Sequence, residues 1–254
     1  MAYSIKALKY MHIDILVPGC AMFYQDKLDK NVEVVGYFFL IRNGSHNILV
    51  DTGMGLPPRE KGPQRQMLGL FCVEAGEDPV SLLSKEGLSP EDIDAVILSH
   101  LHSDHCWNVN LFPRAEIFFS RRGWEAILSP RHPALFPDSD FPRSIYQYLK
   151  EEAWDRVRLL EREQEVLPGI YTYWVGGHTP CSHILVIDSL KGKVILTADL
   201  AFYYANIEEN IPVGAFFDLA ECFEGMDLVR NMGGLVVPSH DPEILVRHPG
   251  GRIA

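Results

Sequence analysis

Long apolar runs and an excess of basic residues are both missing from the sequence, and each absence excludes a class of protein. No run approaches the roughly 18 to 20 apolar residues that a membrane-spanning helix requires, and Lys6, Lys9 and His12 interrupt the N-terminal segment. We therefore expect neither a signal peptide nor a membrane anchor. The 23 basic and 34 acidic side chains give a formal charge of −11, which repels nucleic acid and anionic lipid headgroups. The sequence predicts no nucleic-acid partner and no membrane partner.

Cysteine is scarce and widely spaced. The five cysteines include no Cys-x-x-Cys pair, so the sequence indicates neither a disulfide framework nor a structural zinc ribbon. We expect a reduced chain in the cytoplasm. The 254 residues, 47% of them hydrophobic, suit one large α/β domain, and we predict a single domain over residues 1–254.

Short apolar strands dominate both halves of the chain, and helices interrupt them. Apolar runs rich in β-branched and aromatic residues and bounded by turn residues are typical of strands. We predict strands over Ser4–Leu8, Val32–Ile41, His46–Val50, Ala95–Ser99, Ala115–Phe119, Ile170–Val175, Ile184–Asp188, Val194–Thr197 and Leu235–Pro238. We predict helices over Pro79–Lys85, Arg122–Leu128, Arg143–Val157 and Leu219–Met232. This order predicts two sheets sandwiched between helices.

Three segments are expected to form the walls of a binding pocket. Residues Gly53–Gly76 contain several prolines and glycines and no sustained period, which predicts a long loop. The insert Pro130–Pro142 is broken by prolines, and Phe202–Phe217 follows a strand end. Binding residues concentrate on loops that a rigid scaffold holds in place.

A dense group of potential metal ligands follows the predicted strand that ends at Ser99. Four of the six residues from His100 to His105 are histidine or aspartate, namely His100, His102, Asp104 and His105. Imidazole nitrogens and carboxylate oxygens suit a divalent ion such as zinc. A strand end that opens into a loop can direct several of these side chains at one point, so the motif predicts a metal site.

Three further candidates lie at the ends of downstream strands, beside small residues. His178 stands in Gly-Gly-His-Thr-Pro, Asp199 in Leu-Thr-Ala-Asp, and His240 in Pro-Ser-His-Asp. With the four residues of the first motif, they supply five imidazoles and two carboxylates. That number is what two metal ions with one bridging carboxylate need, so we expect two ions.

These motifs together resemble the metallo-β-lactamase-fold superfamily, and within it the lactonase branch typified by N-acyl-homoserine lactonases and 4-pyridoxolactonase. The resemblance also includes the hairpin that ends in Leu49-Val50-Asp51-Thr52-Gly53, and it covers most of the chain. It implies an α/β fold of the αββα sandwich type, with two mixed sheets flanked by helices.

The resemblance also implies the ligand sets. It assigns His100, His102 and His178 to the first metal, it assigns Asp104, His105 and His240 to the second, and it makes Asp199 the bridge between them. Asp51 matches an aspartate behind the site, where carboxylates orient ligating histidines. A turn residue before Gly53 is an equally good interpretation of Asp51.

The sequence departs from the lactonase pattern near the bridging aspartate. Acyl-homoserine lactonases have a tyrosine three residues after it, and this chain has Phe202 there. Tyr203 and Tyr204 are candidate catalytic replacements, although a shift of one residue reverses the direction of a side chain in a strand. Trp107 replaces a glycine of the usual pattern and is either a pocket wall or a core residue. We expect His183 to be an ordinary buried histidine.

The reaction implied by the resemblance is lactone hydrolysis. A hydroxide between two divalent ions is a nucleophile at neutral pH, and we expect it to attack the ring carbonyl while Asp104 carries a proton to the leaving alkoxide. Phe71, Trp107 and Phe202 are the expected substrate contacts.

The resemblance also implies a small-molecule substrate and a role in quorum quenching, and we expect a monomer or a homodimer. We expect both ions to be zinc, and manganese, cobalt and iron are the alternatives. A cyclic amide or imide, a thioester as in glyoxalase II, and iron-dependent oxidoreduction on the same fold stay open. Glyoxalase II has a helical region after its last metal ligand, which the fourteen residues after His240 do not accommodate.

Overall fold

Two mixed β-sheets form the middle of the computed structural model, which describes residues 2–13, 15–54 and 71–254. The larger sheet is built from β1 (Ser4–Ile13), β4 (Val35–Arg42), β5 (Asn47–Val50), β6 (Phe71–Cys72), β7 (Ala95–Ile97), β8 (Glu116–Ser120) and β9 (Val157–Leu160). Its strand order is β6-β1-β4-β5-β7-β8-β9. From β5 to β9 neighbouring strands run parallel, and the others are antiparallel.

The smaller sheet follows in the second half of the chain. Its strands are β10 (Glu163–Leu167), β11 (Ile170–Trp174), β12 (His183–Ser189), β13 (Gly192–Leu196) and β14 (Leu235–Val237), and they lie in that order. Only the β13–β14 pair is parallel among them. A separate short pair joins β2 (Val17–Pro18) to β3 (Asn31–Val32).

The helices lie on the outer faces and in the connections. They are α1 (Gly19–Met22), α2 (Pro79–Lys85), α3 (Ser103–Cys106), α4 (Arg121–Leu128), α5 (Arg143–Glu151), α6 (Tyr204–Glu208), α7 (Leu219–Met232) and α8 (Glu243–Arg247). Three helices, α2, α4 and α7, have a side-chain N-cap. The capping residues are Asp78, Ser120 and Asp218, and each accepts a hydrogen bond from a backbone N–H in the first turn. Within the described ranges, no helix is both long and apolar enough to span a bilayer.

Three apolar clusters define four layers. Side chains such as Phe39 and Ile97 of the larger sheet pack against Leu185 and Leu196 of the smaller sheet. The opposite face of the larger sheet packs against α2, α4 and α5, and the outer face of the smaller sheet packs against α7. The prediction of two mixed sheets flanked by helices is therefore confirmed.

The predicted helix Arg143–Val157 is too long. The helix ends at Glu151, a short 3-10 turn follows at Trp154–Arg156, and Val157 begins β9. The side chain of Arg156 donates hydrogen bonds to the backbone carbonyls of Phe112 and Ala115, which turns the chain back along β8. Most of the predicted pocket loop Gly53–Gly76 lies outside the described residues.

Candidate metal centre

The motif residues come together because their strands end at one edge of the two sheets. His100 follows β7, Asp199 follows β13 and His240 follows β14. β13 and β14 are parallel, so the residues after them meet at the same edge. His178 lies in the turn before β12, His102 directly precedes the one-turn helix α3, and α3 carries Asp104 and His105.

Asp199 lies at the centre of this cluster, and each of its carboxylate oxygens faces a different pair of histidines. Its Oδ2 is 3.5 Å from His100 Nε2 and 3.3 Å from His178 Nε2. Its Oδ1 is 3.3 Å from Nε2 of both His105 and His240. The candidate ligands form one set of His100, His102, His178 and Asp199 and another of Asp104, His105 and His240.

Three polar atoms that face the middle of the cluster have no hydrogen-bond partner among the described residues, which fits a bound cation. His100 Nε2, His105 Nε2 and Asp199 Oδ1 are buried and unpartnered among the described residues. Leaving such an atom unsatisfied costs about 1–3 kcal/mol. Within each set the ligand atoms lie within 4.8 Å of one another. Nitrogen and oxygen donors in this arrangement fit a divalent metal ion such as zinc.

Hydrogen bonds on the far side of the rings fix the tautomers of the histidines. His105 Nδ1 lies 2.8 Å from Asp51 Oδ2, and His178 Nδ1 lies 2.7 Å from the carbonyl oxygen of Ala215. His240 Nδ1 lies 2.9 Å from the carbonyl oxygen of Val35. Because these oxygens only accept, each Nδ1 carries a proton, and Nε2 is the ring nitrogen that can bind a metal.

Burial and neighbouring charges set the protonation of the metal-free cluster. Burial, together with the charge of nearby histidines, lowers the pKa of His100 well below its usual range and that of His102 to about 3. Burial acts to raise the pKa of Asp199, but the surrounding histidines, His105 first, hold it well below the usual value. Burial acts to lower the pKa of His105, and the carboxylates, Asp199 first, raise it well above normal. A positive charge is therefore favoured at the cluster, as a proton or as a metal ion.

Two glycines bring the His178 turn close to α7. Gly176 and Gly177 have φ angles of 60° and 69°, which side chains with a Cβ rarely adopt. A Cβ at Gly177 would lie 2.8 Å from Cys222 Sγ, and the Gly177 N–H donates to Glu221 Oε2 at 2.9 Å. Only glycine allows this approach, which aims His178 at Asp199.

An apolar cavity of about 220 Å³ opens onto the cluster. Phe71 and Phe202, two of the expected substrate contacts, line it, and the Phe202 ring centroid is 5.4 Å from those of His178 and His240. Trp107 is half-buried and is not among the described lining residues. The remaining described lining residues are Met11, Ile13, Met22, Val34, His102, Ser103, Asp104, Ser139, Asp140, His178, Asp199, Ala215 and His240.

The two tyrosines after Phe202 lie elsewhere. The hydroxyl of Tyr203 donates to the carbonyl oxygen of Glu33 at 2.6 Å, and the ring of Tyr204 lies under the guanidinium of Arg247 at 3.7 Å. Neither is among the described residues that line the cavity. His183 is also separate from the ligand sets, because its two ring nitrogens face the backbone carbonyls of Cys181 and Glu161.

Several supporting residues escape a sequence reading. Ser99 holds Asp51 through its backbone N–H at 2.7 Å and its hydroxyl at 2.8 Å, and its hydroxyl lies 3.1 Å from His100 Nδ1. The hydroxyl of Tyr10 donates to the backbone carbonyl of Asp104 at 2.5 Å. The position of Ser99 directly before His100 is a usable signal, whereas Tyr10 is too distant in sequence to give one.

Comparison with known proteins identifies relatives of the same architecture. The sequence model of the Metallo-beta-lactamase superfamily matches residues 32–242. An N-acyl homoserine lactonase of Bacillus sp is 31% identical over 189 residues, which cover 70% of this chain and 68% of that protein. The N-acyl homoserine lactonase of Bacillus cereus is 29% identical over 188 residues, with 70% and 68% covered.

A solved structure extends the likeness over nearly the whole chain. An N-acyl homoserine lactone hydrolase, solved with the product N-hexanoyl-L-homoserine bound at its catalytic metal centre, has a TM-score of 0.78 and is 22% identical. The match covers 97% of each chain. At this identity the likeness is one of fold.

Proposed function

Because the chain belongs to the metallo-β-lactamase superfamily, we propose that it is a dinuclear metal-dependent hydrolase that opens a lactone ring. The observation that carries the proposal is the placement of Asp199, whose two carboxylate oxygens face the histidines of two different ligand sets. A carboxylate whose two oxygens face different histidine pairs is suited to bridging two ions. The lactonase activity named for the relatives supports the choice of a cyclic ester.

The proposed ligands follow the two sets. His100, His102 and His178 would hold one ion, Asp104, His105 and His240 the other, and Asp199 would bridge them. When bound, two divalent ions lower the pKa of a water from 15.7 towards about 7 and polarise the substrate carbonyl. Zinc is our first choice, because the donors are imidazole and carboxylate.

Asp104 is the proposed proton carrier. Its Oδ2 lies 3.5 Å from His105 Nε2 and 3.8 Å from His240 Nε2, and its side chain lines the cavity. Burial acts to raise its pKa, but the charges of His105 and His240 lower it to about 2. The carboxylate is therefore ionised at neutral pH, and it can accept a proton from the attacking water and pass it to the leaving alkoxide.

The walls of the cavity indicate the kind of lactone. Met11, Ile13, Val34, Phe71 and Phe202 give it an apolar lining, and no lysine or arginine is among the described lining residues. An anionic substituent that packs against this apolar wall, away from the ions, would lose its hydration without gaining a cationic side chain as partner. We therefore propose a neutral lactone with an apolar substituent as the substrate.

The test is proton release at constant pH by zinc-loaded and manganese-loaded protein. The substrate panel contains acyl-homoserine lactones, simple γ- and δ-lactones, an aromatic lactone, a cyclic imide and a glutathione thioester. We expect chelator-sensitive opening of a neutral lactone. Turnover of only the imide or the thioester would contradict the proposed lactone substrate. Inactivity towards the whole panel would contradict the proposed hydrolase activity.

The number of ions is tested separately, by metal content and by substitution of the bridge. The cavity of the wild-type protein should bind about two equivalents tightly, and Asp199→Ala should lose both because it removes the ligand that the two ions would share. A wild-type content that saturates at one equivalent would contradict the dinuclear site.

A further inference from the structure

Three potential metal ligands gather outside the cavity, at the open edge of the larger sheet. His12 on β1 and Cys72 on the edge strand β6 are direct antiparallel partners, so their side chains share one face of the sheet. Glu74 follows two residues later, and Cys72 Sγ lies 3.6 Å from Glu74 Oε1. One ligand atom from each of the three residues lies within 4.8 Å of the other two.

We propose that His12, Cys72 and Glu74 bind one thiophilic divalent ion of the zinc class, independently of the cavity. Zinc–ligand bonds of about 2.0–2.3 Å in a tetrahedron place the ligand atoms roughly 3.3–3.8 Å apart. The 3.6 Å between sulfur and carboxylate oxygen falls in this range. No two of the three ligand atoms are more than 4.8 Å apart. A change of side-chain torsion that moves two such atoms about 1 Å closer together would bring them to a tetrahedral spacing.

The donors of this edge site differ from those in the cavity. A thiolate is a soft ligand and favours zinc over manganese or magnesium, whereas both cavity sets contain only nitrogen and oxygen. The charges of a thiolate and a carboxylate also balance those of a divalent ion. Cys72 is half-buried and Glu74 is exposed. The ion can therefore enter from solvent, and water can complete the coordination.

The edge site lies next to the cavity wall in the strand register. β6 consists of two residues, and the pair beside His12 and Cys72 is Ile13 with Phe71. Ile13 and Phe71 both line the cavity. Alternate residues of a strand point to opposite faces, so the ion would fasten β6 to β1 behind the wall that Phe71 provides.

The test is a titration of metal-free protein with cobalt(II), followed in the near ultraviolet. A thiolate bound to cobalt gives a charge-transfer band that nitrogen and oxygen ligands do not give. We expect this band in the wild type and its loss in Cys72→Ser. It should survive in Cys20→Ser, which removes the exposed cysteine. No band in the wild type, or a band that persists in Cys72→Ser, would overturn the proposal.

A second measurement covers the case in which Cys72→Ser folds poorly. Glu74→Gln changes an exposed side chain and leaves the β1–β6 pairing intact. We expect it to weaken the binding of about one zinc equivalent by more than 100-fold, since loss of an outer partner alone costs 10–100-fold. The other zinc equivalents should keep their wild-type affinity. Unchanged zinc binding in Glu74→Gln, measured by competition with a chelating dye, would also overturn the site.

Discussion

Replacing Asp51 by asparagine should weaken metal binding although Asp51 is not itself a proposed ligand. Its Oδ2 lies 2.8 Å from both His105 Nδ1 and the hydroxyl of Ser99, and its Oδ1 accepts the Ser99 N–H at 2.7 Å. An asparagine places an NH2 group in one of these two positions. Either orientation sets a donor against a donor, because both oxygens of Asp51 accept hydrogen bonds.

The conflict reaches the metal through the tautomer of His105. If the amide NH2 faces this ring, Nδ1 must become the acceptor, and the proton moves to Nε2, the nitrogen that faces Asp199 at 3.3 Å. A protonated Nε2 cannot bind a metal. We expect a 10–100-fold loss of affinity, or about 1.4–2.7 kcal/mol. The backbone is spared, because Asp51 has a φ of 63° and asparagine tolerates that region.

The assay is competition with a chelating dye, and Asp92→Asn is the matched control. Asp92 accepts a backbone N–H and a hydroxyl from Ser89, each at 2.8 Å, as Asp51 does from Ser99. The control therefore has the same change of charge beside a serine, far from the ligands. Wild-type affinity in Asp51→Asn, or an equal loss in Asp92→Asn, would refute the reasoning.

Asp104→Asn keeps an oxygen ligand but removes the proposed proton carrier, so turnover should fall about 10²–10⁴-fold with little change in metal content; equal losses of both would make Asp104 a ligand only. Phe202→Tyr adds a hydroxyl to a ring 5.4 Å from the rings of His178 and His240. We expect kcat for a lactone to rise by about tenfold, less than the 10²–10³ of a preorganised donor, and steady-state kinetics that show a fall would contradict this. Lowering the pH should release the two proposed ions one after the other. In the metal-free protein the pKa of His105 and of His240 is raised and that of His102 is lowered, so protons displace the ion of Asp104, His105 and His240 at the higher pH. Metal content after dialysis over a falling pH series measures this, and simultaneous release would count against it.

The sequence indicates which residues gather at the candidate site, because the candidate ligands adjoin recognisable strand ends. His178, Asp199 and His240 are far apart in the chain, yet each stands after or before an apolar strand and beside small residues. The structure brings them together with the His100–His105 motif. A strand end can be recognised from the local sequence. The parallel pairing of β13 and β14 then places Asp199 and His240, which follow these strands, next to each other.

The cavity wall is harder to predict, since its residues depend on long-range packing. Met11 and Ile13 belong to the first strand, and nothing in their local sequence directs them to a site formed by residues 100–240. Tyr203 illustrates the same difficulty in reverse. It lies four residues after Asp199, but its hydroxyl bonds to Glu33, and that contact is invisible in the sequence.

The sequence-based prediction of strands and helices is wrong where polar residues occupy a strand or where tertiary contacts end a helix. β10 reads Glu-Gln-Glu-Val-Leu, and its charges hide its pairing with β11. The continuation of the helix predicted to end at Val157 contains Trp154, which stacks on Trp124 with ring centroids 6.0 Å apart. That tertiary contact and the hydrogen bonds of Arg156 override the local preference of the segment.

Both candidate ligand sets take side chains from both halves of the chain. His100, His102, Asp104 and His105 follow a strand of the larger sheet, whereas His178, Asp199 and His240 adjoin strands of the smaller one. Neither half carries a complete set on its own. Occupied sites would thus act as cross-links between the halves, and a chain cleaved between β9 and β10 would have its fragments joined by the ions as well as by the apolar core. Metal affinity in this protein is therefore also a measure of how well the two sheets are assembled.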